Sequence, residues 1–252
     1  MTLKVDLNCD LGESFGIFKV GADSEILRLV SSANIACGLH AGDFQVMHET
    51  VKKALSNHVS MGAHPGLPDL QGFGRRWISY TPQEIYDLVL YQIGALDAFV
   101  RAEGGQLAHV KPHGALYNKA AVDRPIADAI AQAVRDFDPN LRLFSLSGSV
   151  LIRAGQDVGL RTVSEVFADR NYLADGTLVP RSHPQAMVHS LEEMAQRLIR
   201  MIKEKTVVSL DGQIVPIDAE TVCLHGDEPE ALAHAQKLRK TLEEYGIMIQ
   251  AQ

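Results

Sequence analysis

The chain has 252 residues, of which 46% are hydrophobic and 22% charged, and its formal net charge is −7. This composition is typical of a globular protein and excludes a disordered or fibrous chain, and the acidic balance argues against a nucleic-acid partner or an anionic membrane partner. Three cysteines without a C-x-x-C pair, no apolar leader and no run of about 18 apolar residues predict a cytoplasmic protein.

Strand-length apolar runs alternate with helical patterns along nearly the whole chain. The strand patterns cover residues 3–9, 33–37, 59–63, 107–111, 141–145, 161–167 and 221–224. The helical patterns cover residues 24–32, 44–57, 82–102, 124–137, 149–157, 191–205 and 229–245. Asp43 is a predicted helix N-cap, and Thr81 and Glu84 around Pro82 predict a capping box. Asp211-Gly212 predicts a hairpin inserted before the last core strand.

Strands that alternate with helices predict right-handed crossovers and a parallel sheet. Such a series of units forms either an open doubly wound sheet or a closed barrel. An open sheet concentrates functional residues at one switch point, whereas polar residues here follow nearly every strand, as they do at the rim of a barrel. We therefore predict an α/β fold, a TIM-like barrel of the (β/α)7 type in a single domain spanning residues 1–252.

Four of the ten histidines follow strand patterns and stand beside glycine, namely His40, His64, His113 and His225. Glycine lets the backbone turn sharply and lets a ligand approach closely. Corresponding positions at four strand ends place four imidazoles on one rim of the barrel, where the active sites of TIM barrels lie. The alternative is that each histidine only caps a turn or a helix.

The first and fourth strands each carry polar side chains on one face. Asp6, Asn8 and Asp10 alternate along the first strand, and such groups are costly inside a barrel unless they are paired or functional. The alternative for them is an edge that faces solvent. Lys111 shares a face with His113, and burial lowers the pKa of such a lysine unless it pairs with a carboxylate such as Asp6 or Asp10. The alternative for Lys111 is a purely structural ion pair.

The loop at 64–80 is long and glycine-rich, and it carries Arg75 and Arg76. Long structured loops on barrels often carry function, and either arginine can clamp a carboxylate with two hydrogen bonds. The alternative is a packed loop with solvated arginines. Asp169 and Arg170 follow the sixth strand and add a carboxylate and a guanidinium. The chain contains no P-loop, dinucleotide-binding motif or nucleophile elbow.

Several long motifs resemble the LamB/YcsF family, and the likeness runs from the first strand to the last helix. The motifs lie at residues 6–13, 34–43, 62–66, 109–118, 165–170 and 224–227. The resemblance implies a barrel similar to the glycoside hydrolase and deacetylase superfamily. It also implies a 5-oxoprolinase activity, the ATP-dependent opening of 5-oxo-L-proline (pyroglutamate) to L-glutamate, together with separate 5-oxoprolinase B and C subunits.

The residues and the resemblance together predict a site. The predicted catalytic residues are Asp10, His40, His64, Lys111, His113 and Asp169. The predicted substrate-binding residues are Asn8, Glu13, Asp43, Arg75, Arg76, Asn118, Arg170 and His225. Asp10, His40 and His64 are also suitable ligands for a divalent metal ion. ATP is the expected cofactor of the complex.

Two other functions suit the same barrel rim. A stand-alone metal-dependent deacetylase or amidohydrolase would bind metal tightly and act without ATP or partner subunits. A non-catalytic subunit would bind the lactam and deliver it, so substitutions at the rim would weaken binding and leave the chemistry intact. Fold analogy alone does not separate these functions.

Overall fold

The computed structural model describes residues 3–224 and 231–252. The strands are β1 Lys4–Leu11, β2 Ser32–Ala36, β3 Ser60–His64, β4 Leu107–Val110, β5 Arg142–Leu146, β6 Arg161–Phe167, β7 Thr206–Val208, β8 Ile214–Pro216, β9 Thr221–Leu224 and β10 Met248–Ile249. The helices are α1 Asp23–Ile26, α2 Phe44–Ser56, α3 Pro82–Ala102, α4 Gly114–Ala120, α5 Arg124–Phe137, α6 Val150–Asp157, α7 Leu191–Lys203 and α8 Ala231–Glu244, with a short 3-10 helix at Leu70–Gly72.

Parallel strands β1 to β6 and β9 close into a barrel with helices around it. The ring closes because β1 pairs with β2 along one edge and with β9 along the other. This arrangement confirms the predicted TIM-like barrel. The predicted insertion is also confirmed, since β7 and β8 form an antiparallel pair outside the barrel. Strand β10 pairs with the start of β1, where Lys4 lies opposite Met248.

The two faces of β1 differ as its alternating sequence predicts. Leu7 and Cys9 are fully buried in the apolar core. Asp6 and Asn8 are equally buried, but they belong to a hydrogen-bonded network, in which the Asp6 carboxylate accepts from the hydroxyls of Ser32 and Thr221. Pairing of this kind offsets the cost of burying polar groups. The polar face therefore lies within the fold, and the expected alternative of a solvent-facing edge is wrong.

The predicted capping signals are confirmed. The Asp43 carboxylate accepts hydrogen bonds from the first backbone N–H groups of α2, and Thr81 and Glu84 form a reciprocal capping box at the start of α3. Each such cap satisfies backbone donors that have no partner within the helix. These caps fix where α2 and α3 begin, and the loops before them lie at the carboxyl ends of β2 and β3.

Three short elements differ from the sequence prediction. The helix expected at residues 24–32 is shortened to α1, because Ser32 already belongs to β2, where its hydroxyl bonds Asp6. Helix α4 and strand β10 were not expected, and both are too short to produce a clear hydrophobic period. Within residues 3–224 and 231–252, none of the helices has the combination of length and apolar character that crossing a membrane requires.

Candidate active site

A cavity of about 660 Å³ opens at the carboxyl ends of several barrel strands. Five polar residues at strand ends line it, namely Asp10, Glu13, His64, Lys111 and His113. Opposite them, the segment 173–182 and the loop after β3 complete the wall. Polar side chains therefore converge from separate strands on one rim, where the active sites of TIM-like barrels lie.

Four buried residues at this rim form a compact cluster, which consists of Glu13, His40, His64 and His113. One nitrogen or oxygen atom of each lies within 4.8 Å of the corresponding atoms of the others. His64 Nε2 is 2.9 Å from His113 Nδ1, and His40 Nε2 is 3.3 Å from Glu13 Oε1. The rings of His40 and His113 stack with centroids 3.8 Å apart. We call these four residues the histidine–glutamate cluster.

Glycines explain how the cluster packs so tightly. A Cβ at Gly66 would lie 2.5 Å from His40 Nδ1, and a Cβ at Gly74 would lie 2.7 Å from His40 Cβ and 2.9 Å from His113. Gly74 also has a φ of +62°, which residues with a Cβ rarely adopt. Gly66 and Gly74, both in the loop after β3, thus permit close packing of the imidazole rings against backbone.

Burial disfavours the charged form of two histidines of the cluster, His40 and His113. Desolvation lowers the pKa of His40 well below its ordinary value, and the neighbouring His113 and His64 lower that pKa further. Desolvation and His64 likewise lower the pKa of His113. A neutral imidazole keeps one nitrogen lone pair for a proton or a metal ion. The cluster can therefore act as a base or as a set of ligands.

Lys111 joins the cluster to a buried ion-pair group. Its Nζ lies 3.0 Å from Asp10 Oδ1 and 2.8 Å from Glu165 Oε1. Asp10 Oδ2 in turn lies 3.2 Å from His64 Nε2. Burial opposes the charged form of Lys111, but Asp10, Cys223 and Glu165 outweigh it and raise the pKa of the lysine well above its ordinary value. Lys111 therefore stays charged. The sequence suggests Asp6 or Asp10 as its carboxylate partner, and in the structure the partner is Asp10.

The two adjacent arginines of the loop after β3 have different environments. Arg75 lines the cavity, and its guanidinium carbon lies 4.9 Å from the centroid of the Phe73 ring. Arg76 pairs with the buried Asp69 carboxylate, and its own side chain is 64% exposed. The structure thus brings Arg75 to the cavity, whereas Arg76 is held by Asp69.

Several predicted site residues lie elsewhere. Asn8 is buried beneath Lys111 and donates to Glu165, and Asp43 is occupied as the cap of α2. Asp169 lines a separate small cavity beside Met194 and His234, whereas its neighbours Phe167 and Arg170 line the main cavity. Asn118 and Arg170 line the main cavity, and their predicted role in substrate binding stays a prediction. His225 lies outside the described residues.

The geometry revises the predicted metal-binding set. Glu13 and His113 join His40 and His64 in the cluster, and Asp10 borders it through His64. The predicted substrate-binding role of Glu13 is thereby replaced in our interpretation, since its carboxylate lies against two imidazoles, 3.3 Å from His40 Nε2 and 3.7 Å from His113 Nδ1.

Sequence reasoning missed the aromatic part of the cavity. Phe73, Trp77 and Tyr117 line it, and so do Leu173 and Leu178 of the opposite wall. Trp77 is the only tryptophan of the chain and is 40% exposed. An aromatic residue in a glycine-rich loop at a barrel rim is a usable sequence signal for a binding pocket.

A family model described as the LamB/YcsF family matches residues 5–252. The chain is 57% identical over 248 residues to the 5-oxoprolinase A subunit of Bacillus subtilis (strain 168), covering 98% of this chain and 96% of that protein. It is 56% identical to the 5-oxoprolinase A subunit of Tolumonas auensis, covering 98% and 99%. The crystal structure of the lactam utilization protein from Thermus thermophilus superimposes with a TM-score of 0.94 at 50% identity, covering 99% of this chain and 100% of that one.

Proposed function

The chain belongs to the LamB/YcsF family, and on that premise we propose that it is the A subunit of a 5-oxoprolinase. In this proposal it opens the 5-oxo-L-proline lactam to L-glutamate in a reaction coupled to ATP hydrolysis, together with separate B and C subunits. The observation that carries the proposal is one cavity that joins imidazoles, carboxylates and an arginine, in a chain 57% identical to a protein named as a 5-oxoprolinase A subunit. We also place the complex in the cytoplasm, because the three cysteines of this chain are free thiols, as is typical of proteins in a reducing compartment.

The need for ATP follows from the substrate. A five-membered lactam is an unstrained amide, so its energy is close to that of its hydrolysis product and coupling to ATP makes opening favourable. A phosphoryl group placed on the amide oxygen turns the carbonyl carbon into a good electrophile, and water must then be activated to attack it. Water adds to this carbon, the ring C–N bond breaks and the ring nitrogen takes up a proton, which leaves an acyl phosphate. A second water hydrolyses the acyl phosphate to the glutamate carboxylate and phosphate. Because this chain has no P-loop, we assign ATP to the complex as a whole.

We assign water activation to His64 and His113. Both line the cavity, and histidine is the side chain that most often acts as a general base. Asp10 is assigned to stabilise the imidazolium that forms, since its Oδ2 lies 3.2 Å from His64 Nε2. Lys111 is assigned to hold Asp10, because its Nζ lies near four acceptors, Asp10, Glu165, Asn8 and Cys223. A lysine with three donors in such a setting orients its neighbours.

We assign Arg75 to the carboxylate of the substrate. It is a cation on the cavity wall, and an acidic chain of net charge −7 needs a local cation to bind an anionic substrate. Arg76 serves as the matched control, since it is adjacent in sequence and pairs with Asp69.

The test is a complex reconstituted from this chain with B and C subunits, in which ATP hydrolysis that depends on 5-oxoproline and glutamate release are measured together. We expect Arg75→Ala to raise the KM for 5-oxoproline about 10- to 100-fold, as the loss of a charged hydrogen bond does, and Arg76→Ala to leave it nearly unchanged. We expect His113→Asn to abolish glutamate release while the circular dichroism spectrum stays that of the wild type.

Two results would each contradict the proposed function and support a different one. Hydrolysis of the lactam by this chain alone, without ATP, would identify a stand-alone amidohydrolase. Full turnover by the complex that contains His113→Asn and Asp10→Asn, with weaker binding of the lactam, would identify a non-catalytic binding subunit.

A further inference from the structure

Two imidazoles of the histidine–glutamate cluster face each other with nitrogens that carry no proton. His64 Nδ1 lies 2.7 Å from the carbonyl oxygen of Lys111, and His113 Nε2 lies 2.8 Å from the carbonyl oxygen of Phe73. A carbonyl oxygen only accepts, so each of these nitrogens must donate its proton. A neutral imidazole has one N–H, so His64 Nε2 and His113 Nδ1 both present lone pairs. They are 2.9 Å apart, and such a contact is repulsive unless a positive charge stands between them.

A single extra proton cannot satisfy all the acceptor atoms around these two nitrogens. Asp10 Oδ2 lies 3.2 Å from His64 Nε2, and Glu13 Oε1 lies 3.7 Å from His113 Nδ1. The two nitrogens and two oxygens are all acceptors, and one proton forms a hydrogen bond with only two of them. A cation with several coordination positions can satisfy the acceptors together.

The spacing of the donor atoms suits a small metal ion. Three contacts around the cluster measure 2.9, 3.3 and 3.7 Å, from His64 to His113, from His40 to Glu13 and from Glu13 to His113. Ligand atoms about 2.0–2.1 Å from a tetrahedral ion lie roughly 3.3 Å from one another. Histidines that bind a metal also usually donate their second ring N–H to a backbone carbonyl or a carboxylate. His64 and His113 make that bond, to the carbonyls of Lys111 and Phe73.

We propose that Glu13, His40, His64 and His113 bind one divalent transition-metal ion of the borderline-soft class to which Zn²⁺ belongs. Imidazole nitrogens favour such ions, whereas Mg²⁺ and Ca²⁺ require mainly oxygen ligands. Glu13, His64 and His113 line the cavity, so the ion is reachable by a bound substrate. In its catalytic meaning the inference rests on the proposed function and modifies it: with the ion bound, the lone pairs of His64 and His113 would hold the ion, and the ion would take over water activation from the two imidazoles, because an ion of this class lowers the pKa of coordinated water or polarises a carbonyl.

The test measures binding directly. The purified full-length chain is stripped with a chelator, dialysed and titrated with Zn²⁺ by calorimetry, and Mg²⁺ is titrated in parallel. We expect one tight Zn²⁺ site per chain and a Zn²⁺-dependent rise in the thermal unfolding midpoint, with no comparable Mg²⁺ site. Replacement of Zn²⁺ by Co²⁺ is expected to give visible absorption bands of a site with nitrogen and oxygen ligands.

Variants separate this site from adventitious surface binding. We expect His64→Asn and His113→Asn each to lower Zn²⁺ affinity at least 100-fold, and Glu13→Gln, which keeps the side-chain shape, to lower it at least 10-fold. The control is His48→Ala, since His48 pairs with Glu103 at the surface and its side chain is 35% exposed; it should bind Zn²⁺ as the wild type does.

The failure of this inference is distinguishable from the failure of the proposed function. No stoichiometric Zn²⁺ site in the stripped chain, or equal affinity in His113→Asn and His48→Ala, overturns the metal site. Glutamate release by a metal-free reconstituted complex overturns the catalytic meaning of the ion and leaves the lactam reaction standing. A tight site in a chain that releases no glutamate with B and C subunits supports the metal site and removes the proposed function.

Discussion

The buried ion-pair group around Lys111 makes a stability prediction that can be worked from the structure. The Lys111 side chain is 3% exposed, and its two carboxylate partners, Asp10 and Glu165, are 12% and 0% exposed. Lys111→Met removes the cation, keeps most of the side-chain volume and leaves the two carboxylates without their counter-charge. Removing one partner of a buried pair costs about 3–5 kcal/mol, which for a chain of this size lowers the thermal midpoint by about 6–20 °C.

Lys205 provides a control with the same chemistry at the surface. Its Nζ lies 3.0 Å from Asp218 Oδ1, the same separation as Lys111 from Asp10, but the side chains are 72% and 63% exposed. Exposed pairs contribute about 0–1 kcal/mol. We expect Lys205→Met to change the free energy of unfolding by no more than that.

The pH dependence gives a second, independent signature. Burial without a counter-charge favours the protonated carboxyl groups, so their pKa values in the folded variant rise above the unfolded values. A raised carboxyl pKa stabilises the fold at low pH, and that contribution is lost as the pH rises through the shifted value. The deficit of Lys111→Met relative to wild type should therefore be larger at a pH of about 8 than at about 5.5. Urea unfolding followed by circular dichroism at the two pH values measures the loss of unfolding free energy in each variant and its pH dependence. A loss as small as that of Lys205→Met, or one independent of pH, would refute the reasoning.

The remaining predictions concern packing and binding. Gly62→Ala should destabilise the fold by about 1–3 kcal/mol, because a Cβ there would overlap the His109 ring. A Cβ at Gly94 within α3 meets nothing within 4 Å, so Gly94→Ala should stabilise the fold by about 0.5–1 kcal/mol. Thermal unfolding should therefore show a lower midpoint for Gly62→Ala and a higher midpoint for Gly94→Ala than for wild type. Trp77, the only tryptophan, lines the cavity, so saturable binding of 5-oxoproline should change its fluorescence in wild type and less in Arg75→Ala, and an unchanged spectrum at saturation would remove the ligand from this cavity.

The barrel was predictable because each element carries its own local evidence. Residues 82–102 combine a capping box, a proline at the first helical position and a helical period, and the observed α3 has these bounds. The seven core strands were recognised as short apolar runs, and glycine beside histidine marked the ends of several. Local propensity and pattern therefore agreed with the tertiary structure throughout the barrel.

The site was predictable in its residue types and less so in its partnerships. Asp43 and Asp169 are acidic residues near strand ends, like Asp10, but one caps a helix and the other faces helices α7 and α8. Which acidic side chain turns toward the cavity depends on backbone turns after the strand, and these are set by long-range packing. Glu13 joins His40 through a contact between residues 27 positions apart, and no local pattern encodes that distance.

The pairing of β1 has a consequence for the order in which the molecule is built. One edge of β1 can form early, with β2, but Asp6 on its other side waits for Thr221, 215 positions later in the chain. Contacts this distant in sequence slow folding, since the loop must be closed before the contact forms. During synthesis the ribosome must release nearly the whole chain before the barrel can shut. The cavity that β1 helps to line is thus among the last features of the nascent protein to appear, and a polypeptide interrupted before β9 would be left with exposed strand edges for chaperones to cover.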